Sequence, residues 1–295
     1  MEPLVVEVRR GGIVEARHVV HAVAVQSGAV VAEAGDASLT CFLRSSSKPL
    51  QALPLARARD DLDDRDLAIA SASHKATDDQ IAAVRALLAK APATEDELEL
   101  GPQPGRPPGK AFHNCSGKHA GMLALCRAHG WPSAGYVDAA HPVQQAMLAA
   151  HAEAADASPD EIPAALDGCG VQTFALPLER MAHAFARVEQ LDGGSRVAAA
   201  MRAHPELVGG PDGADYELMR TLAGWIAKGG AEGLMCAAGP GGLGVALKSE
   251  DGANRPHRPA LAAFLGELGY DLTEWRVVPL DNSRGEVVGE LVCTR

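Results

Sequence analysis

No stretch of the 295 residues approaches the roughly 18 uninterrupted apolar positions that a membrane-spanning helix needs, so none is expected. Basic charge is also scarce. The chain has 27 Lys and Arg against 38 Asp and Glu, a formal net charge of −11 at pH 7. Nucleic acid and anionic membrane both call for a basic face, so neither is an expected partner. The six cysteines, Cys41, Cys115, Cys126, Cys169, Cys236 and Cys293, form no C-x-x-C pair. The opening Met1-Glu-Pro-Leu-Val-Val-Glu-Val-Arg-Arg lacks the basic start and long apolar run of a secretory signal. A cytoplasmic location with reduced thiols, mostly buried as small hydrophobes, is therefore expected. Internal repeats and linkers are missing too. Only 7 of the basic residues are Lys, which draws attention to each lysine inside a motif.

What is present suits a globular core, with 47% hydrophobic and 22% charged residues. Residues 3–9, 13–25 and 29–34 read as strands broken by Gly11-Gly12 and Ser27-Gly28. Residues 41–44 form a short strand, and 50–70 read as helix with a kink at Pro54. Thr77-Asp-Asp-Gln80 is a capping box opening a helix to about Lys90. The Pro- and Gly-rich residues 91–110 read as an exposed loop or lid. Helices are expected at 120–128, ended by Gly130, and at 141–155, 174–190, 195–204, 215–228 and 258–268. Residues 165–171 read as a Gly-flanked turn. A strand, a Gly-Pro-Gly-Gly turn and a second strand occupy 233–248, and two more strands 275–280 and 287–293. Strands, then helices, then strands predict an α+β fold with an antiparallel sheet made from both termini. One catalytic domain is expected, with a sheet lobe at about 1–44 and 233–295 and a helical lobe at about 45–232.

The chemistry concentrates in Arg44-Ser-Ser-Ser-Lys48-Pro-Leu-Gln-Ala-Leu-Pro54. Ser45 and Lys48, at i and i+3, share one helix face as candidate nucleophile and base. The Pro49 ring clashes with the carbonyl four residues earlier, so a helix must begin close to Ser45. There, unpaired N–H groups favour developing negative charge. With 13 Ser and 7 Lys, about 0.3 such matches arise by chance, so the motif needs company. Ser73-His74 precedes the helix that Thr77 caps, a place where functional groups are presented. Cys115-x-x-Lys118 and Asp167-Gly-Cys169 bring two thiolates that suit zinc, which from residue chemistry alone His113 or His119 would complete. Lys248 closes a strand and offers a second amine to a hydroxyl such as Ser73. Asn282 and Arg284, in a turn, are candidate substrate contacts.

Taken together, Ser45 to Pro54, Ala72-Ser-His74, His113-Asn-Cys-Ser-Gly-Lys-His-Ala-Gly-Met122, His141-Pro142, Asp167-Gly-Cys-Gly170, Ala246-Leu-Lys-Ser-Glu-Asp-Gly252 and Asn282-Ser-Arg-Gly285 resemble the Rhizobium etli-type (type II, class 3) L-asparaginases over most of the chain. The resemblance implies a fold like the serine β-lactamases and bacterial glutaminases. It implies hydrolysis of the L-asparagine side-chain amide to aspartate and ammonia, and a homodimer. Two serine–lysine pairs are implied, Ser45 with Lys48 and Ser73 with Lys248. So is a zinc ion on Cys115, Lys118 and Cys169 with Asp167 close by, in place of a histidine ligand. One segment departs: where the family tends to a Gly-Glu-Pro-like turn after Ser-His, this chain has Lys75-Ala-Thr77.

On these expectations Ser45 attacks the amide with Lys48 as base, and Ser73 with Lys248 relays a proton to ammonia or orients the deacylating water. Arg44 pairs with the substrate carboxylate, and His74, Asp167, Asn282 and Arg284 complete the pocket. The competing readings are a glutamine-preferring enzyme, a penicillin-recognising acyl hydrolase and an inactive zinc- or ligand-binding member of the fold.

Overall fold

The computed structural model describes residues 1–294. It is an α+β protein in which both termini build one antiparallel sheet. The strands are β1 (Leu4–Arg10), β2 (Ile13–Gln26), β3 (Ala29–Ala34), β4 (Thr40–Phe42), β5 (Ala164–Leu166), β6 (Gln172–Pro177), β7 (Ile226–Gly229), β8 (Leu234–Gly239), β9 (Leu243–Ser249), β10 (Val277–Asp281) and β11 (Val287–Cys293). The large sheet runs β10-β11-β1-β2-β9-β8-β7, with β3 also on β2. The long β2 makes this branching workable. Its first half pairs with β1, with an extra residue, Glu15, on β2 itself, and its second half with β3, where the extra residue is Val31 of β3. β8 is buried throughout and β9 nearly so. Their sequences are apolar without alternation, as strands covered on both faces require.

The helices are α1 (Lys48–Gln51), α2 (Leu53–Ala58), α3 (Asp64–Ala70), α4 (Asp78–Lys90), α5 (Ser116–His129), α6 (Pro142–Ala155), α7 (Leu178–Arg187), α8 (Gly194–Ala203), α9 (Pro205–Val208), α10 (Ala214–Thr221) and α11 (His257–Glu267). Thr77 and Gln80 form the expected capping box at α4, and Gly130 closes α5 in the left-handed conformation. Pro49 and Pro54 both sit in first turns, so 50–70 divides into three short helices instead of one kinked one.

Two expected helices begin or end as strands. Gln172–Pro177 is a buried strand that stops where Pro177 removes a donor, and α7 starts only after it. The expected 215–228 helix ends at Thr221, Gly224 turns with positive φ, and Ile226–Gly229 becomes β7 at the sheet edge. Both differences matter for the site. β6 joins β4 and β5 in a small second sheet. That sheet sets the chain leaving β4, at Arg44, beside the β5–β6 loop that holds Asp167 and Cys169.

Candidate active site

After β4 the chain makes a tight 3-10 turn over Arg44–Ser47 and enters α1. Arg44 has φ +48°, a left-handed conformation that costs a non-glycine residue energy. Two bonds hold it there. Its N–H donates to Thr173 Oγ1 (3.1 Å) and its Nε to Asp167 Oδ1 (2.7 Å). The three serines that follow diverge. Ser46 Oγ donates to Lys228 O (2.9 Å) and Ser47 Oγ to Arg44 O (2.8 Å). Ser45 is half-buried and lines a cleft of about 780 Å³. Gly230, just past β7, closes on this turn. A Cβ there would lie 2.9 Å from both Leu43 O and Ser46 Oγ, so only glycine lets the strand end come this near.

Lys48 is completely buried. Its Nζ donates to Ala72 O (2.5 Å) and Ser73 Oγ (2.9 Å). Burial pushes its pKa down to about 8. Cys115 opposes that shift, and the positive charges of Lys118 and Lys228 reinforce it. The serine in direct contact with Lys48 is therefore Ser73. Ser73 is fixed in turn by its N–H donating to Val208 O (2.8 Å). It also lines the cleft.

Lys248 does not join this group. Its Nζ donates to Ser249 O at 2.5 Å, because the side chain folds back along its own strand, and it is not among the cleft-lining residues. The buried lysine that does line the cleft is Lys228 on β7. Its Nζ donates to Asp215 Oδ2 (3.3 Å) and Gly229 O (2.9 Å). Sequence reasoning missed it by placing residue 228 at the end of a helix. The available signal was Trp225-Ile-Ala-Lys228-Gly-Gly230, a short apolar run ending in Lys-Gly-Gly.

Other expected substrate contacts are also redirected. The His74 ring is buried. Its Nδ1 accepts from Ala76 N (3.1 Å), so the proton sits on Nε2, which donates to Ser116 Oγ (2.8 Å). Burial first, then the charges of Lys48 and Arg106, push its pKa down to about 3. His74 thus braces the Ser73 loop as a neutral imidazole. Arg44 and Asp167 are paired with each other. Asn282 and Arg284 sit in the exposed β10–β11 hairpin, where both donate to Glu286, and neither lines the cleft. The 91–110 loop does reach the cleft: Gln103 and Arg106 line it, and Arg106 donates to the His74 and Lys75 carbonyls.

Cys115 lies just before α5, Lys118 in its first turn, and Cys169 in the β5–β6 loop. Lys118 Nζ is 3.1 Å from Cys169 Sγ. The neighbouring Cys169 thiol, then Lys48 and Lys118, pull Cys115 well below the usual thiol range against its burial, while Cys115 and burial push Cys169 up. Burial pushes Lys118 down, but the two cysteines and Asp167 push it up further, so it pairs as an ammonium with this sulfur group. The donor set fits zinc if the buried amine supplies its nitrogen. A histidine nitrogen also stands at this sulfur group: His119 Nδ1 meets Tyr136 OH, but its buried Nε2 has no hydrogen-bond partner among the described residues and lies by Cys169, while His113 Nδ1 accepts from Cys115 N. Among the described residues no three His, Cys, Asp or Glu gather as a metal cluster.

No curated protein matches the chain. A solved β-lactamase from Mycobacterium bovis aligns over 87% of this chain and 94% of its own, at 14% identity and a TM-score of 0.36. A family model described as L-asparaginase II matches residues 6–293. With nearly the whole chain covered, the protein belongs to the L-asparaginase II family.

Proposed function

We propose that the protein hydrolyses the side-chain amide of L-asparagine to aspartate and ammonia, with Ser45 as nucleophile and Lys48 as base. The observation that carries this reading is the buried Lys48 amine, its pKa lowered to about 8, 2.9 Å from Ser73 Oγ on the wall of the cleft that Ser45 lines. Ser45 attacks the amide carbonyl. Its proton passes by way of the Ser73 hydroxyl to Lys48 and then to the departing ammonia, and water reverses the sequence on the acyl-enzyme. The Lys228 cation and the Ser45 N–H are offered to the developing oxyanion, the Arg44 and Ser46 N–H groups being already engaged on Thr173 Oγ1 and Leu43 O. Ammonia release from asparagine and glutamine tests the reading, and a protein inert toward both amides sinks it. A second reading, a penicillin-type acyl hydrolase, draws on Lys228-Gly-Gly at the sheet edge beside the serines. Nitrocefin turnover separates the two.

Lys48 accepts a proton only when neutral, and its pKa is near 8. Below that value the base is protonated and idle. We therefore expect kcat/KM to rise with pH on an acid limb with an apparent pKa of about 8, then level off. A profile already flat from about pH 6 upward removes Lys48 as the base.

Cys115, Lys118 and Cys169 are proposed to hold a zinc ion. When bound, zinc supplies a fixed positive charge that orients the polar end of the substrate. Lys118 must lose its proton to bind, which the metal's own charge favours. About one zinc per chain is expected in the purified protein by elemental analysis, and well below that in Cys115→Ser or Cys169→Ser. Equal zinc in wild type and both variants would place the metal elsewhere.

A further inference from the structure

The cleft that Ser45 and Ser73 line is also lined by a second cationic group. Arg255 lines it together with Ser45 and Ser73. Its Nε donates to His18 Nε2 at 2.8 Å. A guanidinium has no acceptor, so His18 Nε2 must be the unprotonated nitrogen. The ring proton then sits on Nδ1, which donates to Asp251 Oδ2 at 2.5 Å. His18 is only 4% exposed, on β2, so the ring cannot turn away. Asp251 is steadied by accepting from Ala253 N (3.0 Å). His18, distant in sequence, and Asp251, close to Arg255 in sequence, thus fix one guanidinium.

The partner is unusual. The other arginines that line the cleft, Arg258 and Arg106, are already engaged, as is Arg44 next to Ser45. Arg44 pairs with Asp167, Arg258 with Glu217 (2.7 Å), and Arg106 with two backbone carbonyls. Arg255 bonds a neutral imidazole instead, although the Asp251 carboxylate stands one group away. Among the described residues it has no carboxylate partner. Its charge and both Nη groups remain available, and they form the planar fork that matches a carboxylate. Lys75 also lines the cleft and is exposed like Arg255, but its amine is unanchored.

We propose that Arg255, held by His18 and Asp251, is the carboxylate-recognition residue of the cleft, and that it takes the free carboxylate of the amide substrate. The inference rests on the amidohydrolase reading for the identity of that substrate. Two sources share the chemistry, the α-carboxylate of free asparagine and the C-terminal carboxylate of an asparaginyl dipeptide.

The test compares L-asparagine, asparaginyl-glycine and 3-aminopropanamide, which is asparagine without its carboxylate. Arg255→Ala should lower kcat/KM on asparagine or on the dipeptide by about 10- to 100-fold, mostly through KM, and leave 3-aminopropanamide nearly unchanged. Whichever carboxylate substrate loses more identifies the source. His18→Phe, which keeps the volume and removes the acceptor, should move the same ratio in the same direction with kcat retained. Lys75→Ala, which removes a cation without an oriented fork, should leave the ratio unchanged. Equal losses on all three amides, or none, overturn the proposal. Calorimetric binding of L-aspartate gives a readout without turnover and should weaken by a similar factor in Arg255→Ala. Wild-type protein that binds aspartate through Arg255 yet releases no ammonia overturns the amidase reading alone. Wild-type protein that does neither overturns both.

Discussion

Ser45→Ala is expected to lower asparagine turnover by at least about 10⁴-fold while leaving the fold in place. The asymmetry follows from what each hydroxyl does. The bonds that hold the turn belong to its neighbours, Ser46 to Lys228 O and Ser47 to Arg44 O. The turn is fixed further by Arg44 on Thr173 and Asp167. Removing the half-buried Ser45 hydroxyl should therefore shift stability by no more than about 0.5 kcal/mol. Ser73→Ala should behave differently. It takes from Lys48 its hydroxyl partner, and a lost proton-transfer route costs about 10²- to 10⁴-fold. Intact-mass analysis during turnover should show an acyl adduct on wild type, and on Ser73→Ala if its deacylation slows, but never on Ser45→Ala. An adduct on Ser45→Ala, with Ser73→Ala dead, would make Ser73 the nucleophile.

The sequence carries the sheet well, because its strands are long, β-branched and bounded by Gly-Gly or Ser-Gly turns. Residues 13–25 were expected as strand and Ile13–Gln26 is observed. It carries the 174–190 and 215–228 segments poorly, for one shared reason. Gln172–Pro177 and Ile226–Gly229 are short buried strands, and a short apolar run without alternation is indistinguishable from part of a buried helix. Losing β7 hid Lys228, and the second amine was then sought at Lys248, also near a strand end but turned along its own backbone. The Ser45–Lys48 spacing correctly placed both residues at a helix start. It could not show that the Lys48 amine swings to Ser73, because that contact depends on Ser73 being tied to Val208, 135 residues further on (208 − 73). Arg255 is the opposite case. Local sequence surrounds it with Asn and Pro and gives no hint of His18, which only strand pairing brings within reach.

Asp215→Ala is expected to destabilise the protein by about 3–5 kcal/mol, because it strands a buried cation. Lys228 is 1% exposed, and its only carboxylate partner among the described residues is Asp215. Asp215 also accepts from Gly229 N (3.0 Å) and Tyr216 N (2.9 Å), so its loss frees two backbone donors. The socket is built for this one side chain: a Cβ on Gly213 would come within 2.4 Å of Asp215 Oδ1. Thermal unfolding should show a fall of about 6–20 °C, at roughly 2–4 °C per kcal/mol for a chain of this size. The pH dependence has a definite sign. Burial pushes the Asp215 carboxyl up, but Lys228 and the backbone donors pull it further down, so its net pKa is depressed in the folded state. Its stabilisation is then fully present above the unfolded carboxyl value of about 3.9 and lost as pH falls through the lower folded value. The Asp215→Ala deficit should accordingly shrink in strong acid. Asp215→Ala combined with Lys228→Met should recover much of the lost stability, since no charge is left buried, but not the activity, since the cleft cation is gone. Single and double variants of equal stability would show that the cost lies in the packing of the glycine socket and not in the ion pair.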